Sequence, residues 1–326
     1  MKALITGSNG FIGSHLVELL LNHDYEATCM VRKTSKLQWI EHLPVHFVYG
    51  DIRDIDSLRN AVSGMDYVFH LGGTVRAGSD EIFNAINYLG TENLLKACKD
   101  HTPRLKKFIF ISSQAAAGPA PEKRPLKESD IPRPISMYGR SKLKAEQAVL
   151  RYSDIYPVSI IRPPSVYGAR DDDILELFKY IKWRIKPVLG YNDKYISIFY
   201  VLDLVDGILR VAEKEEANGE IFFLANKEYH STLEIENMIS AAMDRSAMTI
   251  RIPEIALDIF TGISEFIARF SSRVALVNRD KALEMKQPYW IMDPGKALKH
   301  LAFQAETDFE EGLAETLEWY RANRWL

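Results

Sequence analysis

Three glycines that follow the first short apolar segment constrain this chain more than any other feature. Ala3-Leu4-Ile5 precedes Gly7, Gly10 and Gly13, and Phe11 to Leu21 carries apolar residues at helical spacing. Such glycines allow a tight turn, a close approach of backbone to pyrophosphate and close packing of helix on sheet. The helix N-terminus then offers free N–H groups to the phosphates. The spacing G-x-x-G-x-x-G departs from the usual G-x-G-x-x-G, so a glycine turn without ligand is the alternative.

Strand and helix patterns alternate through the first half of the chain. Strands are predicted at Lys2 to Thr6, Glu26 to Val31, Val45 to Tyr49, Tyr67 to Leu71, Phe108 to Ile111 and Val158 to Ile161, with helices at Asp56 to Val62, Asp80 to Lys99 and Met137 to Tyr152. Short apolar strands that alternate with helices indicate a parallel sheet covered on both faces. The predicted fold class is therefore α/β, a doubly wound parallel (Rossmann) sheet.

The pattern loosens after Pro163-Pro164. A helix is predicted at Ile174 to Ile185, a short strand at Ser197 to Val201, a helix capped by Asp203 that runs to about Glu213, and a buried strand at Ile221 to Leu224. The region 227–326 is predicted to be mostly short helices, ending in Phe309 to Arg321. We predict a nucleotide-binding domain at 1–170, to which 196–225 returns, and a smaller, mostly helical substrate domain at 171–195 and 226–326. The substrate is expected in the cleft between them.

Composition excludes several function classes. The 326 residues carry a net charge of −3, and no basic cluster suggests a nucleic-acid partner. The two cysteines, Cys29 and Cys98, form no disulfide framework, which favours a reducing cytoplasm. We expect no targeting segment and no membrane span, since no window of about 18 apolar residues occurs. We predict no metal site.

The apolar segment from Ile255 to Phe270 is interrupted by charged residues. Its apolar members are Ile255, Leu257, Ile259, Phe260, Ile263, Phe266, Ile267 and Phe270. A buried or lid helix is favoured over a helix on a membrane surface. These residues are interpreted either as the wall of a pocket for a bulky apolar substrate or as the core of the C-terminal domain. The core is the favoured interpretation.

The residues after the second strand indicate the cofactor. The carboxylate that would bind the adenosine ribose of NAD is missing, because no acid occurs between Glu26 and Glu41. Arg32 ends the strand and Lys36 follows, and a guanidinium binds a ribose 2′-phosphate in bidentate fashion. NADP is therefore favoured, with NAD as the alternative. Asp51 and Ile52, after the third strand, are predicted to contact the adenine.

Tyr138 and Lys142 form the predicted proton-transfer pair. They are four residues apart on one helix, so they share a face. An ammonium and a positive nicotinamide ring would favour the phenolate, and lowering its pKa from about 10 to about 7 requires about 4 kcal/mol. Ser113, which with Ser112 ends the strand Phe108 to Ile111, is predicted to orient the substrate oxygen. The alternatives are that Ser112-Ser113 only cap the strand and that Tyr138 is a half-buried aromatic residue on a surface helix.

With these residues assembled, the chain resembles the extended short-chain dehydrogenase/reductase superfamily. It is similar to the NAD(P)-dependent epimerase/dehydratase type, close to the dihydroflavonol-reductase and 3β-hydroxysteroid-dehydrogenase group. The similarity rests on the glycine turn, on Gly50 to Asp54, on Asn87 to Leu95, on Ser112-Ser113 and on Tyr138 to Lys142, and it continues at Arg162 to Gly168 and Tyr200 to Leu204.

The resemblance implies a catalytic set of Ser113, Tyr138 and Lys142. It also implies a cofactor site, which we predict at Gly7, Asn9, Gly10, Phe11, Ile12, Gly13, Arg32, Lys36, Asp51, Ile52, Leu71, Gly72, Gly73, Thr74, Asn87, Ser112, Tyr138, Lys142, Pro163, Pro164, Ser165 and Val166. Two departures matter. Gly72-Gly73 stands where the family commonly has Ala-Ala, and Ser165 stands where an Asn often serves nucleotide-sugar substrates.

The residue types favour one reaction. Gln114-Ala115 follow Ser113, where a sugar dehydratase would need acids, so we expect reversible hydride transfer between nicotinamide and a ketone or alcohol of a small or medium organic substrate. A nucleotide-sugar epimerase with bound NAD is one alternative. A cofactor-binding redox sensor without turnover is another. The resemblance also implies a homodimer through a four-helix bundle formed by Asp80–Lys99 and Met137–Tyr152.

Overall fold

The computed structural model describes residues 1–268 and 279–326. Seven parallel strands form the central sheet in the order β11-β6-β5-β4-β1-β2-β3. They are β1 Lys2–Thr6, β2 Glu26–Val31, β3 His46–Tyr49, β4 Tyr67–His70, β5 Lys107–Ile111, β6 Val158–Arg162 and β11 Ile221–Phe223. The order reverses between β1 and β4, which creates a crevice at the carboxyl ends of these strands. The predicted doubly wound Rossmann sheet is confirmed.

Smaller strands lie outside the central sheet. They are β7 Ser165–Tyr167, β8 Ile185–Leu189, β9 Tyr195–Ile196, β10 Ile198–Tyr200, β12 His230–Ser231, β13 Met248–Ile252 and β14 Tyr289–Trp290. β7 pairs with β10 and β8 pairs with β13, whereas β9 lies between β12 and β14. These short strands all lie beyond residue 163, where the sequence predicted chiefly helices; the predicted strand Ser197 to Val201 is confirmed as β10.

Helices cover both faces of the central sheet. Including those that pack elsewhere, such as α7 and α9 on β8, the helices of the described residues are α1 Phe11–Asn22, α2 Ile55–Val62, α3 Asp80–Phe83, α4 Gly90–His101, α5 Gln114–Ala117, α6 Met137–Leu150, α7 Asp173–Lys182, α8 Val201–Glu213, α9 Thr232–Ala242, α10 Glu254–Ala268, α11 Arg279–Met285, α12 Gly295–Leu301 and α13 Phe309–Ala322. Two separate apolar clusters result, one on each side of the sheet, and they include Ile5 and Leu4, which are adjacent in β1. A strand buried on both faces needs apolar residues at consecutive positions, as β1, β4 and β5 have.

Three sequence expectations were wrong in detail. The predicted helix Asp80 to Lys99 is interrupted by a π-helix at Asn84–Leu89. Asp203 does not cap α8, which begins at Val201; its carboxylate instead accepts hydrogen bonds from the N–H groups of Glu306 and Thr307. The helix predicted to reach Ile185 ends at Lys182, because Arg184 adopts a left-handed conformation (φ 64°) and β8 begins at Ile185.

The apolar segment that begins at Ile255 forms α10, but its described side chains do not form a core. Ile255, Ile259 and Phe260 are 68%, 60% and 58% exposed. The interpretation of this segment as core is therefore wrong at these positions. Phe270 and the side chains of Ile263, Phe266 and Ile267 lie outside what the structure describes. Within the described ranges, no helix combines the length and the apolar character needed to cross a bilayer.

Candidate active site

The glycine turn is a compact connection between β1 and α1. Gly7 adopts φ +72°, and a Cβ there would lie 2.9 Å from the backbone of Leu71 and Gly72. A Cβ on Gly13 would lie 2.1 Å from the carbonyl oxygen of Gly7, so only glycine allows the helix to start this close to the turn. Gly10 caps α1 without a side chain, and no acid occupies the first turn of the helix. This open, positively polarised helix N-terminus suits a pyrophosphate.

Gly72-Gly73 follows β4 and lies beside the turn that contains Gly7. A Cβ on Gly72 would lie 2.9 Å from Oγ1 of Thr6, and one on Gly73 would lie 3.0 Å from Oδ1 of Asn87. Since both side chains are held by hydrogen bonds, glycine fits this turn better than alanine would. The side chains of Thr6 and Asn87 thus explain why Gly72-Gly73 replaces the common Ala-Ala pair in this chain.

A continuous chain of buried hydrogen bonds joins this turn to the helix that bears Tyr138. Gly72 donates its N–H to Thr6 Oγ1, which lies 2.7 Å from His70 Nδ1, and His70 Nε2 lies 2.9 Å from Thr91 Oγ1. Because the Thr91 hydroxyl donates to the Asn87 carbonyl, His70 Nε2 must carry the ring hydrogen and Nδ1 must accept from Thr6. Burial lowers the pKa of His70 to about 3, with the Lys142 charge adding to it, so this histidine is a neutral connector.

Asn87 completes the connection. Its side-chain oxygen accepts the N–H of Thr74, and its amide nitrogen donates to Thr74 O and to Ser141 Oγ. The Ser141 hydroxyl in turn donates to the carbonyl of Tyr138. Both amide hydrogens of Asn87 are therefore used within the protein. Its position in the π-helix turns this side chain toward the sheet edge; π-helical segments are frequent at functional sites.

Ser113 and Tyr138 are brought together, as the sequence predicted. Ser113 follows β5 and caps α5, accepting the N–H of Ala115. A hydrogen bond between Ser113 and the Tyr138 hydroxyl lowers the pKa of the phenol, but burial outweighs it and raises that pKa to about 12. The charge of Glu284 adds to the increase. The expected acidification of Tyr138 is therefore not produced by the protein groups, because desolvation disfavours a phenolate.

Lys142 lies one helical turn after Tyr138 and is buried. Its ammonium donates to the Ile111 carbonyl at 2.7 Å and lies 4.2 Å from the centre of the Phe110 ring. Burial lowers its pKa to about 7, whereas the nearby charge of Glu146 opposes this shift. The amine is thus held at the carboxyl end of β5, close to Ser112 and Ser113, which follow this strand.

A buried ion pair supports the same helix from behind. Arg162, at the end of β6, donates to both carboxylate oxygens of Glu146 on α6, at 2.9 and 2.6 Å. Each residue is about 1% exposed, and Ser112 also donates its hydroxyl to Glu146. The Ser112 side chain is therefore structural. Sequence reasoning missed Glu146, although its position four residues after Lys142 was a signal that the two share a helix face.

The N-terminus of α6 is held by two acids from far along the chain. Asp280 accepts the N–H groups of Met137 and Tyr138 at 2.6 and 3.3 Å. Glu284 accepts a hydrogen bond from the Ser136 hydroxyl at 2.6 Å. Carboxylates stabilise a helix N-terminus through its dipole and its unpaired N–H groups. No local sequence signal relates α11 to α6, so these contacts could not be inferred before the fold.

Basic side chains lie where β2 and β3 end. Arg32 is exposed, and its charge contributes to lowering the pKa of Asp51. The larger cause is Arg53, which donates to both Asp51 oxygens at 3.0 and 2.6 Å and holds this pKa at about 2. Arg53 was not among the predicted residues. Lys36 is also exposed, and its backbone carbonyl accepts a hydrogen bond from the side-chain amide of Asn9.

The remaining predicted cofactor residues occupy the carboxyl edge of the sheet. Pro163 accepts the N–H of Gln114, which ties the end of β6 to the Ser113 turn, and Ser165 and Val166 begin β7. Phe11 and Ile12 are partly exposed at the start of α1, and Ile52 is buried against Gly90. The structure thus gathers these residues at strand ends; their contact with a cofactor stays a prediction.

Comparison with known proteins gives a family and several relatives. Residues 3–225 match the model of the NAD dependent epimerase/dehydratase family. A ceramide reductase of Caulobacter vibrioides is 25% identical over 323 residues, which span 99% of this chain and 95% of that protein. The 4-hydroxy-2-methyl-3-oxo-4-farnesyl-3,4-dihydroquinoline-1-oxide ketoreductase of Stigmatella aurantiaca is 27% identical over 69% of this chain and 68% of its own.

The structural comparison agrees on the fold. A UDP-glucose 4-epimerase of Thermotoga maritima, solved with UDP-glucose, superposes with a TM-score of 0.82 at 23% identity. The match covers 99% of this chain and all of that one (100%). At this level of identity the likeness extends to the fold alone.

Proposed function

Because this chain belongs to the NAD-dependent epimerase/dehydratase family of oxidoreductases, we propose that it transfers hydride reversibly between NADP and a ketone or secondary alcohol. The observation that carries this proposal is that Ser113 lies close enough to the Tyr138 hydroxyl to lower its pKa, with Lys142 buried one turn further along α6. These groups follow β5, at the same sheet edge as the glycine turn after β1. A bound nicotinamide would supply or accept the hydride at this edge.

Tyr138 is the proposed acid and base. With its pKa near 12 the phenol is protonated at neutral pH, which is the form needed to donate a proton to a carbonyl oxygen. Ser113 would hold the same oxygen through its hydroxyl. Lys142 would bind the nicotinamide ribose and supply positive charge when the phenol loses its proton.

The carboxylates near Tyr138 do not suit a sugar elimination. Gln114 stands where an acid would be required, and both oxygens of Asp280 accept backbone N–H groups of α6. Glu284 accepts from Ser136. Since these acids are engaged at the helix N-terminus, proton transfer at a neighbouring substrate carbon has no free carboxylate among the described residues of this region.

NADP is the proposed cofactor because two arginines, Arg32 and Arg53, lie at the ends of neighbouring strands. Asp51 lies beside these arginines, and its negative charge is compensated by Arg53. Arg32 is therefore available to bind a 2′-phosphate. For Arg32→Ala we expect the NADPH dissociation constant to rise by about 10- to 100-fold, as loss of a charged hydrogen bond costs about 1.5–3 kcal/mol. NADH binding should be unchanged.

Isothermal titration with both cofactors measures this difference. Arg59→Ala, an exposed arginine on α2, is the matched control and should bind NADPH like the wild type. Equal loss of NADPH and NADH affinity in Arg32→Ala would contradict the assignment of this side chain to the 2′-phosphate.

The proposed substrate is a ketone on a lipid-like molecule. Two relatives act, by their names, on a ceramide and on a farnesyl-bearing ring. The exposed apolar residues of α10 also favour an apolar ligand over a nucleotide sugar. The two-domain boundaries, a homodimer through α4 and α6, and a cytoplasmic location remain part of this proposal; the free buried thiols of Cys29 and Cys98 are in keeping with a reducing compartment.

A substrate panel tests the reaction. The purified protein is mixed with NADPH and, in turn, a 3-ketoceramide, a 3-ketosteroid, a short-chain ketone and UDP-glucose, and the nicotinamide absorbance is followed. We expect oxidation of NADPH with the lipid ketones. Interconversion of UDP-glucose without net oxidation would replace the proposal by an epimerase, and saturable NADPH binding without turnover of any compound would replace it by a sensor.

A further inference from the structure

The two-stranded sheet β8/β13 exposes an apolar face. The strands pair in parallel with Ile185 opposite Met248, Pro187 opposite Ile250 and Leu189 opposite Ile252. Side chains alternate between the two faces of a strand, so these six residues lie on one side. None of them is buried, and Met248 and Ile250 are 67% and 38% exposed. We call these six side chains the outer face.

The other side of the same sheet is covered on β8, whereas Thr249 and Arg251 of β13 are exposed there. Val188 is 3% exposed, and the Lys186 ammonium donates to Asn237 of α9 at 2.7 Å. α7 and α9 pack against β8 on this side. On β8 the polar contact of Lys186 is therefore made inward, whereas the six apolar residues of the sheet lie on the opposite side, where Met248 and Ile250 are exposed.

Aromatic residues lie at both ends of the outer face. Trp183, next to the Arg184 carbonyl that accepts the Met248 N–H, is 65% exposed. Tyr191, whose carbonyl accepts from Arg251, is 70% exposed. α10 starts at the same end, where Glu254 lies beside Gly190, and it adds exposed Ile255 and Ile259 at a spacing of one helical turn. Trp and Tyr are the residues that favour the interface between water and lipid.

Basic residues outnumber acids around the outer face. The two segments that build it, 182–192 and 245–252, contain Lys182, Arg184, Lys186, Arg245 and Arg251 and no aspartate or glutamate. Acids occur next to these segments at Asp193, Asp244, Glu254 and Asp258, of which Glu254 is paired with Lys194 and Asp258 with Lys286. In a chain of net charge −3, the two segments thus carry a local excess of positive charge, although Lys186 and Arg251 belong to the opposite side of the sheet.

We propose that the outer face of β8/β13, with Trp183 and Tyr191, docks this protein on the surface of an anionic lipid bilayer. Apolar and aromatic side chains insert at the level of the headgroups, and the surrounding basic residues are attracted by anionic lipids. A second copy of the chain is less favoured as occupant, because two outer faces would bring two segments with an excess of positive charge together. The inference rests on the proposed function in that a lipid ketone would be taken from the membrane.

Contacts between helices connect the region of the outer face with the candidate active site. α10 packs against α11, and Asp280 of α11 holds the N-terminus of the helix that carries Tyr138.

Sedimentation with lipid vesicles tests the docking without cofactor or ketone. Wild-type protein is mixed with sucrose-loaded vesicles of phosphatidylcholine alone or with one quarter phosphatidylglycerol. We expect sedimentation with the anionic vesicles, weaker at high salt, and little with the neutral ones. Two double variants, Trp183→Ser/Met248→Ser and Lys182→Gln/Arg184→Gln, should each lose about tenfold or more in partitioning.

Matched controls alter exposed residues elsewhere. Val75→Ser/Ile131→Ser replaces apolar residues that are 67% and 78% exposed, and Arg59→Gln/Lys99→Gln removes two charges from α2 and α4. Both should sediment like the wild type, and circular dichroism of every variant should match it. An absence of vesicle binding, or equal losses in the controls, would overturn the proposal.

The competing occupant has its own outcome. If analytical ultracentrifugation without lipid finds a dimer that Trp183→Ser/Met248→Ser converts to a monomer, the outer face is an interface between copies and the proposal is wrong. Failure of the proposed function is separate: vesicle binding that depends on the outer face, combined with no turnover of any ketone, would sustain the docking and refute the reductase. Turnover of a ketone without vesicle binding would support the reductase and refute the docking.

Discussion

The carboxyl edge of the central sheet and the outer face of β8/β13 differ in which kind of side chain they bury and which they expose. At the sheet edge polar groups are buried and paired, from Thr6 and His70 through Asn87 to the Glu146–Arg162 ion pair. At the outer face apolar groups are exposed, with Met248 as the extreme case. A rigid polar network fixes the positions of reacting groups, whereas an exposed apolar surface is suited to a ligand that water does not dissolve. The comparison predicts that single changes are costly at the edge and cheap at the outer face.

The largest effect is expected from Tyr138→Phe. Loss of the phenol hydroxyl removes the proposed proton donor, and we expect turnover of a ketone substrate to fall by about 10²- to 10⁴-fold. NADPH affinity, measured by titration, should stay within about twofold of the wild type, since the change leaves the glycine turn intact. Tyr152→Phe, just beyond the same helix, is the control. Full turnover by Tyr138→Phe would remove Tyr138 from the mechanism.

The ion pair behind the site should be the next most sensitive point. Arg162→Met leaves the Glu146 carboxylate buried without its partner, and we expect the free energy of unfolding to fall by about 3–5 kcal/mol. Arg151→Met breaks the exposed pair with Glu92, in which Arg151 is 56% exposed, and should cost about 0–1 kcal/mol. Urea unfolding measures both. Similar losses in the two variants would mean that burial does not distinguish these ion pairs.

A pH dependence of stability is expected from Lys142. Its pKa is about 7 in the folded protein and 10.5 for an ordinary lysine, because burial disfavours the charged amine. Between these values the unfolded chain binds a proton that the folded protein lacks, so the free energy of unfolding should rise with pH from about 7 to 10.5. The contribution is at most about 1.4 kcal/mol per pH unit.

Lys142→Met should lack this contribution, so its unfolding free energy should rise less with pH than that of the wild type. Lys144→Met, an exposed lysine on the same helix, should keep the wild-type slope. Urea titrations at several pH values provide the measurement. Parallel curves for the wild type and Lys142→Met would contradict a buried amine of low pKa.

The smallest effect is expected at the outer face. Met248 is 67% exposed, so Met248→Ser removes little buried apolar area and should change the free energy of unfolding by no more than about 0.5 kcal/mol. Met292→Ser, at a methionine that is 1% exposed, should cost several times more. If both variants lost similar stability, the outer face would be part of the core and the comparison drawn above would fail.

Local sequence was sufficient for the elements that carry the predicted cofactor residues. Gly13 was expected to allow close packing of α1, and the 2.1 Å approach that a Cβ would make to Gly7 O accounts for it. The pairing of Tyr138 with Ser113 also followed from position, since one begins a helix and the other ends a strand. The effect of burial on Tyr138 did not follow from the sequence, because it depends on residues such as Phe83 that only the fold brings next to the phenol.

The sequence by itself determined the parallel sheet, the glycine turn and the spacing of Ser113, Tyr138 and Lys142, because each depends on neighbours within one or two elements. Only the tertiary structure decided which charges stand beside these groups. Asp280 reaches Met137 from 143 residues away, and Arg162 reaches Glu146 from another element of the fold. Packing also decided that Met248 and Ile250 face outward, since an apolar strand shows the same pattern whether or not a neighbour covers it.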